Sequence, residues 1–215
     1  MSISVSKTIP VNPSLLEEGV TLAAHSPNKI SDRLSDSLSA GDLRAAFPHK
    51  VFRAPFASLQ SATLLKKVVL SGWRYMLLDK EGVFAAAEID VSANNEPLRF
   101  GRVTQGFLVD STVDALREVE NKIKAKKRGT TSYEAALIEI LEIPFVALWL
   151  QSNNKDQDLI FPLMIGFERK QEFKGYTDVE ITKELRKRFK LSFKKNEKIS
   201  RSQVPKITLR PKKKS

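Results

Sequence analysis

The stretch that most constrains how this chain can fold runs from Tyr133 to Ile165. It contains the longest uninterrupted apolar run in the sequence, Ile143–Leu150 (IPFVALWL). Polar residues 151–158 follow, and then a second apolar run, Leu159–Ile165 (LIFPLMI). Two apolar runs of strand length on either side of a polar segment read as a buried β-hairpin with a long, solvated loop. Eight apolar residues fall far short of the roughly 20 that a membrane-spanning helix needs. The hairpin is therefore expected to sit in the core of a globular domain.

A second hairpin is legible upstream. Trp73–Leu78 and Val83–Val91 are strand-like runs joined by Asp79, Lys80, Glu81 and Gly82. A glycine at the end of so short a loop can supply the positive φ that the loop needs. Arg99–Val109 reads as a further strand, and its two glycines predict a bend or bulge. Val51–Phe56 reads as a short edge strand, limited by Pro55. A helix is predicted over Leu59–Leu70, capped by Ser58 and ended by Gly72. Another starts at Asp110 or Ser111 with Val113, Leu116, Val119 and Ile123 on one face, and ends in KAKKRG at Gly129. Tyr133–Leu141 suits helix or strand. Ile30, Leu34 and Leu38 at i, i+4 and i+8 suggest helical turns ended by Gly41.

Hairpins linked in series, without βαβ alternation, predict an α+β fold. The expectation is an antiparallel sheet of about five strands, near 73–78, 83–91, 99–109, 141–151 and 159–165, packed by two helices. A basic C-terminal helix and flexible tail complete it. Residues 1–50 read as an extended or loosely docked segment, 51–170 as the core domain, and 171–215 as the basic helix and Lys-rich tail. No signal or transit segment is legible, and a cytoplasmic location is the default expectation.

Chemistry is sparse. The chain has no cysteine, which excludes disulfides, thiolate metal sites and Cys nucleophiles. Gly101–Gly106 has P-loop glycine spacing, but Phe107 and Leu108 stand where Lys and Ser or Thr are required. Asn154, Asp156 and Asp158 alternate like calcium-loop ligands, but Leu159 and Ile165 occupy the glycine and glutamate positions of such a loop. Glu88 and Asp90 lie two apart on one strand, so both carboxylates point to one face. His25 and His49 fall in irregular stretches without a G-x-S-x-G elbow. Trp73, Tyr75, Phe84, Phe100, Phe107, Phe145 and Trp149 read as core aromatics rather than a base-stacking platform. No catalytic, cofactor-binding or metal-binding residue is assigned, and no cofactor is implied.

Charge is the informative feature. Up to Ile165 the chain carries 19 basic and 19 acidic residues, so the whole net charge of +11 lies beyond it. A capping box at Thr177 to Glu180 opens a helix to about Lys190 with Ile181, Leu185 and Phe189 in one stripe. From there the cations are Lys183, Arg186, Lys187, Arg188, Lys190, Lys194, Lys195, Lys198, Arg201, Lys206, Arg210, Lys212, Lys213 and Lys214, against two anions, Glu184 and Glu197. Cations at that density repel one another unless a polyanion neutralises them. The expected function is non-enzymatic attachment to nucleic acid with little sequence preference. The alternatives are an adaptor docking on an acidic protein, and an enzyme whose site assembles only in three dimensions.

Overall fold

The computed structural model describes residues 2–4, 13–26, 32–60, 63–125, 132–153, 157–166, 168–169 and 173–189. Their strands are β1 (Ser2–Ser4), β2 (Arg44–Arg53), β3 (Val69–Asp79), β4 (Gly82–Val91), β5 (Pro97–Gln105), β6 (Ser132–Ile140), β7 (Phe145–Ser152), β8 (Leu159–Ile165) and β9 (Glu168–Arg169). The helices are α1 (Pro13–Ala24), α2 (Asp32–Ser39), α3 (Phe107–Ala125) and α4, over 178–189. The fold is α+β, as expected, but larger and mixed rather than purely antiparallel. Seven long strands, β2–β8, run in the order β5-β4-β3-β2-β6-β7-β8, with β9 beside β8 and β1 beside β6.

Two antiparallel meanders, β2–β5 and β6–β9, meet at one parallel seam. There β2 pairs with β6 from Lys50↔Ala136 to Arg53↔Glu139. Upstream, β2 carries a bulge between Ala46 and His49, with Phe47 at φ 50° ahead of Pro48. The bulge turns β2 away from β6, and β1 takes the vacated edge in parallel, Ser2↔Ser132 to Ser4↔Glu134. Each meander is followed by a helix, α3 after β5 and α4 after β9.

Strand alternation decides which helix covers which face. Ala135 and Leu137 of β6, Leu148 and Leu150 of β7, and Phe161 and Leu163 of β8 form a cluster with Ala115 and Val119 of α3. Their neighbours Ala136, Ile138, Ala147, Trp149 and Ile160 pack on the other face against Ile181 and Leu185 of α4. On that same face, Leu16, Val20 and Ala24 of α1 and Leu34 of α2 cover Trp73, Tyr75 and Leu77. The first fifty residues thus carry two packed helices where the sequence suggested a loosely docked segment. Their short or interrupted apolar stripes conceal this. The pattern Ile30, Leu34, Leu38 did mark α2, which ends at Gly41 with φ 70°.

The β3–β4 hairpin is tighter than expected. Asp79 pairs with Gly82, leaving only Lys80 and Glu81 as the turn, and Gly82 takes φ 114°. Asp79 accepts from the Glu81 backbone at 2.8 Å and from the Arg33 side chain of α2 at 2.6 Å and 2.8 Å, so helix and turn are tied together. The Arg33 hydrogen bond holds the Asp79 carboxyl far below the ordinary carboxylate range, although its burial opposes this. Gly101 is the extra residue of a β4–β5 register shift, between Glu88↔Arg102 and Ile89↔Phe100, as the glycines of this strand predict.

Three expectations fail for definable reasons. The helix over Leu59–Leu70 is replaced by two 3₁₀ segments, Phe56–Gln60 and Leu65–Lys67, and by the start of β3. Gly72 is no helix terminator: it lies inside β3, where a Cβ would come within 2.5 Å of the Ile89 carbonyl oxygen of β4. Residues 141–144, which include Pro144, are a turn between β6 and β7, so the ambiguous Tyr133–Leu141 resolves into a strand of its own. Gly129 and the Lys-rich tail lie outside the described residues.

Trp149 joins the layers. It is 8% exposed, packs edge-on against Phe52 at 5.1 Å between centroids, and donates Nε1–H to Asp158 at 3.0 Å. Trp149→Ala is expected to lower unfolding stability by about 3–5 kcal/mol, the range for buried aromatic deletions, in urea denaturation. A loss below about 1 kcal/mol would show that the indole is not part of the core.

Candidate functional site

A row of charge crosses the face that α3 only partly covers. His49 on β2, Arg74 on β3, Glu88 on β4 and Arg102 on β5 are successive register neighbours. Arg74 donates Nε–H to Glu88 at 2.6 Å and an Nη2 hydrogen to Glu139 of β6 at 2.9 Å. Arg102 donates to Glu88 at 2.9 Å and also reaches Glu139 at 3.1 Å. Three strands separate β5 from β6 in the sheet, so this contact requires a strongly curled sheet, concave on the α3 side. Arg74, Glu88 and Glu139 are each 3% exposed or less. Glu88 and Asp90, paired by spacing, diverge in environment: Glu88 is locked in this row, and Asp90 pairs with the exposed Arg99 at 3.1 Å.

This chemistry is closed. Burial pushes the Glu88 carboxyl up, but Arg74 and Arg102 outweigh it and hold the group below its ordinary range. A carboxylate so saturated by guanidinium groups cannot serve as a general base. His49 is fully buried, and burial together with the Arg74 charge lowers its pKa to about 4. Its Nδ1 lies 2.9 Å from the Phe47 carbonyl, which can only accept, so Nδ1 carries the proton and Nε2 keeps the lone pair. Nε2 is buried without a hydrogen-bond partner among the described residues. Among the described residues no three metal-ligating side chains come together.

The sequence singled out Glu88 and His49 but missed Arg74, Arg102 and Glu139. The available signal was a lone charge inside each of two apolar strands, Arg74 in WRYMLL and Glu139 in ALIEIL.

The opposite face carries an open cleft of about 890 Å³ where the 63–66 segment, the β6–β7 strands and the start of α4 meet. Glu134, Trp149, Gln151, Asn153, Asp158 and Asp178 line it, with Lys66 and Val179. Asp158 accepts from Trp149 Nε1 and from the Ser152 backbone at 2.7 Å, so it braces the β7–β8 hairpin. Asn154 and Asp156, its partners in the calcium-loop spacing, lie outside the described residues. Asp178 accepts from the backbone N–H groups of Leu64 at 2.7 Å and Leu65 at 3.2 Å, tying α4 to the loop before β3. The capping box forms as its spacing predicts: Thr177 N–H donates to Glu180 at 2.8 Å, and Glu180 N–H donates to Thr177 Oγ1 at 3.3 Å.

Comparison with known proteins gives no assignment. No family model, no curated protein and no solved structure matches this chain.

Four of the fourteen expected polyanion-binding cations are on α4, and the structure divides them. Arg186 donates to the Leu59 carbonyl, and Arg188 pairs with Glu184 at 2.7 Å and Glu168 at 3.0 Å. Those two guanidinium groups serve the fold. Lys183 and Lys187 are exposed, one turn apart on one face. The other ten, from Lys190 to Lys214, lie outside the described residues. Among the described residues no helix is long and apolar enough to cross a membrane.

The buried row makes two tests. Arg74→Met, which leaves the two buried carboxylates Glu88 and Glu139 to share Arg102, is expected to cost about 3–5 kcal/mol. Arg99→Ala, at a pair whose arginine side chain is 73% exposed, should cost no more than about 1 kcal/mol. For His49 the sign follows from its lowered pKa. The unfolded chain takes up the proton as pH falls through about 6.5, the folded protein only near 4. Stability should therefore fall across that window by on the order of 3 kcal/mol and then level off. His49→Gln should lack this part of the slope in urea titrations at successive pH values. An unchanged slope would mean that His49 is solvated.

Proposed function

We propose that the protein is a non-enzymatic binding protein that attaches to nucleic acid, with little sequence preference, through α4 and the cations that follow it. One observation carries the reading. Ile181 and Leu185 fix α4 in the core, so Lys183 and Lys187 face outward from an anchored helix that leads straight into the unbalanced charge. The ten cations beyond Phe189 are opposed by one anion, Glu197. The buried charges of the body are already neutralised by one another. Phosphate is a ligand such Lys-rich chain can hold without a rigid fork, which favours attachment over base readout.

The anchoring of α4 decides where the protein can be cut. Truncation after Gly175 spares β1–β9 but removes the Tyr176 bridge to Ile160 of β8, Ile181 and Leu185 from the core, and Asp178 from the Leu64 and Leu65 backbone. That variant is expected to lose the body itself. Truncation after Phe189 keeps α4 and should move the melting temperature by less than about 2 °C. Affinity of the full chain for duplex DNA should fall with salt at a log–log slope of about −5, as for roughly six neutralised phosphates. The chain ending at Phe189, with Lys183 and Lys187 left, should show a slope of about −2. Equal affinity and slope for both chains would overturn the reading. Tight, saturable binding to an acidic protein with no salt-sensitive DNA binding would favour the adaptor alternative.

A further inference from the structure

The cleft and the exposed face of α4 are continuous. Val179 lines the cleft, and Lys183 and Lys187 follow it at one and two turns along the helix, about 6 Å and 12 Å away along its axis. Lys66 stands on the other lining segment. We infer that the cleft takes one unstacked, amino-bearing base of a single-stranded nucleic acid whose phosphates lie along Lys66, Lys183 and Lys187. The inference rests on the nucleic-acid reading above and adds to it a ligand class that phosphate attachment alone does not select.

The chemistry of the lining sets the class. Three carboxylates, Glu134, Asp158 and Asp178, face one ammonium group, Lys66, and the amides of Gln151 and Asn153 can donate or accept. Asp158 and Asp178 spend part of their capacity on backbone N–H groups and the Trp149 indole, and Glu134 lies 2.9 Å from Lys50. A carboxylate has about four lone-pair sites, so acceptor capacity remains. A phosphate in the cleft would face three carboxylates, and this excludes the backbone from it. A base with an exocyclic amino donor, as in cytosine and adenine, suits it better than uracil or thymine, where a carbonyl takes that place and N3–H is the edge donor that remains. A duplex leaves only the major-groove hydrogen of that amino group exposed, so a cleft that takes in the whole pairing edge needs an unpaired strand. The indole of Trp149 forms part of the wall, an aromatic surface of the kind that bases contact in single-strand binders.

The test uses the full chain and two oligodeoxynucleotides of about twelve residues, one of cytidine and one of deoxyuridine, a length within the site sizes of single-strand binders. The two differ at ring position 4, amino or carbonyl, and at the adjacent N3, which accepts in cytosine and donates in uracil. A strand altered at the amino group alone is therefore needed beside them. Fluorescence anisotropy at fixed salt should show the cytidine strand bound about tenfold tighter, the worth of one hydrogen bond to a charged acceptor. Glu134→Ala should reduce that ratio toward one. A cytidine strand methylated twice on its amino nitrogen should bind like the deoxyuridine strand, and this measurement does not depend on how any variant folds. Equal, salt-sensitive binding of all three strands would overturn the cleft inference and leave the phosphate attachment standing. Binding of none of them, and of no duplex, would overturn the attachment itself.

Discussion

The five-strand reach from Arg102 to Glu139 is the interaction on which the rest of the structure depends. A sheet this wide twists, and each side chain ordinarily meets only the strand beside it. Here Arg74 bridges Glu88 and Glu139 while Arg102 closes over the same two carboxylates. The meanders are thereby held in a curl as well as side by side. Burying these ions costs desolvation free energy that only near-complete pairing offsets. The geometry is correspondingly demanding, and an alternative register of β3, β4, β5 or β6 would leave a charge in the core without its counterion. The row therefore discriminates among registers more than it adds net stability.

Discrimination is needed because the apolar patterning is permissive. Ala85, Ala86 and Ala87 are consecutive and all buried, and so are the residues Ala135 to Ile140 of β6. Strands apolar on both faces give little penalty for slipping by one residue. A charge at one position in each of β3, β4, β5 and β6 restores the penalty. The tight approach at Gly72 and the extra residue at Gly101 work in the same direction, since each fits one register only.

This permissiveness also explains how much was legible in the sequence. Hairpin β3–β4 and strand β8 could be read because turn residues bracket them and their lengths match single strands. Strand β6 could not be resolved: EAALIEIL has the composition of a helix, and only pairing with β2 and β7 makes it extended. The Leu59–Leu70 segment failed for the converse reason. Its apolar residues have helical spacing, but Asp178 and Thr182 draw the Leu64 backbone toward α4, and β2 draws residues from Val69 onward into the sheet. The polar cleft left no sequence signal because Glu134, Asp158 and Asp178 come from distant segments. The basic face of α4 was visible as composition, but composition did not distinguish the two arginines that brace the fold from the two lysines that face outward.

The parallel seam between β2 and β6 has a kinetic meaning. Every antiparallel pair in the sheet joins strands consecutive in sequence, so each can form by closing a short loop. The Lys50↔Ala136 pairing instead joins residues 86 positions apart, across the whole of the first meander and α3. Loop closure over such a span is slow, and contacts of high sequence separation dominate folding times. The chain is therefore built to fold as two locally competent halves whose docking is the late event. Substitutions at Val51 or Phe52 should accordingly speed unfolding more than they slow folding, the signature of contacts absent from the transition state.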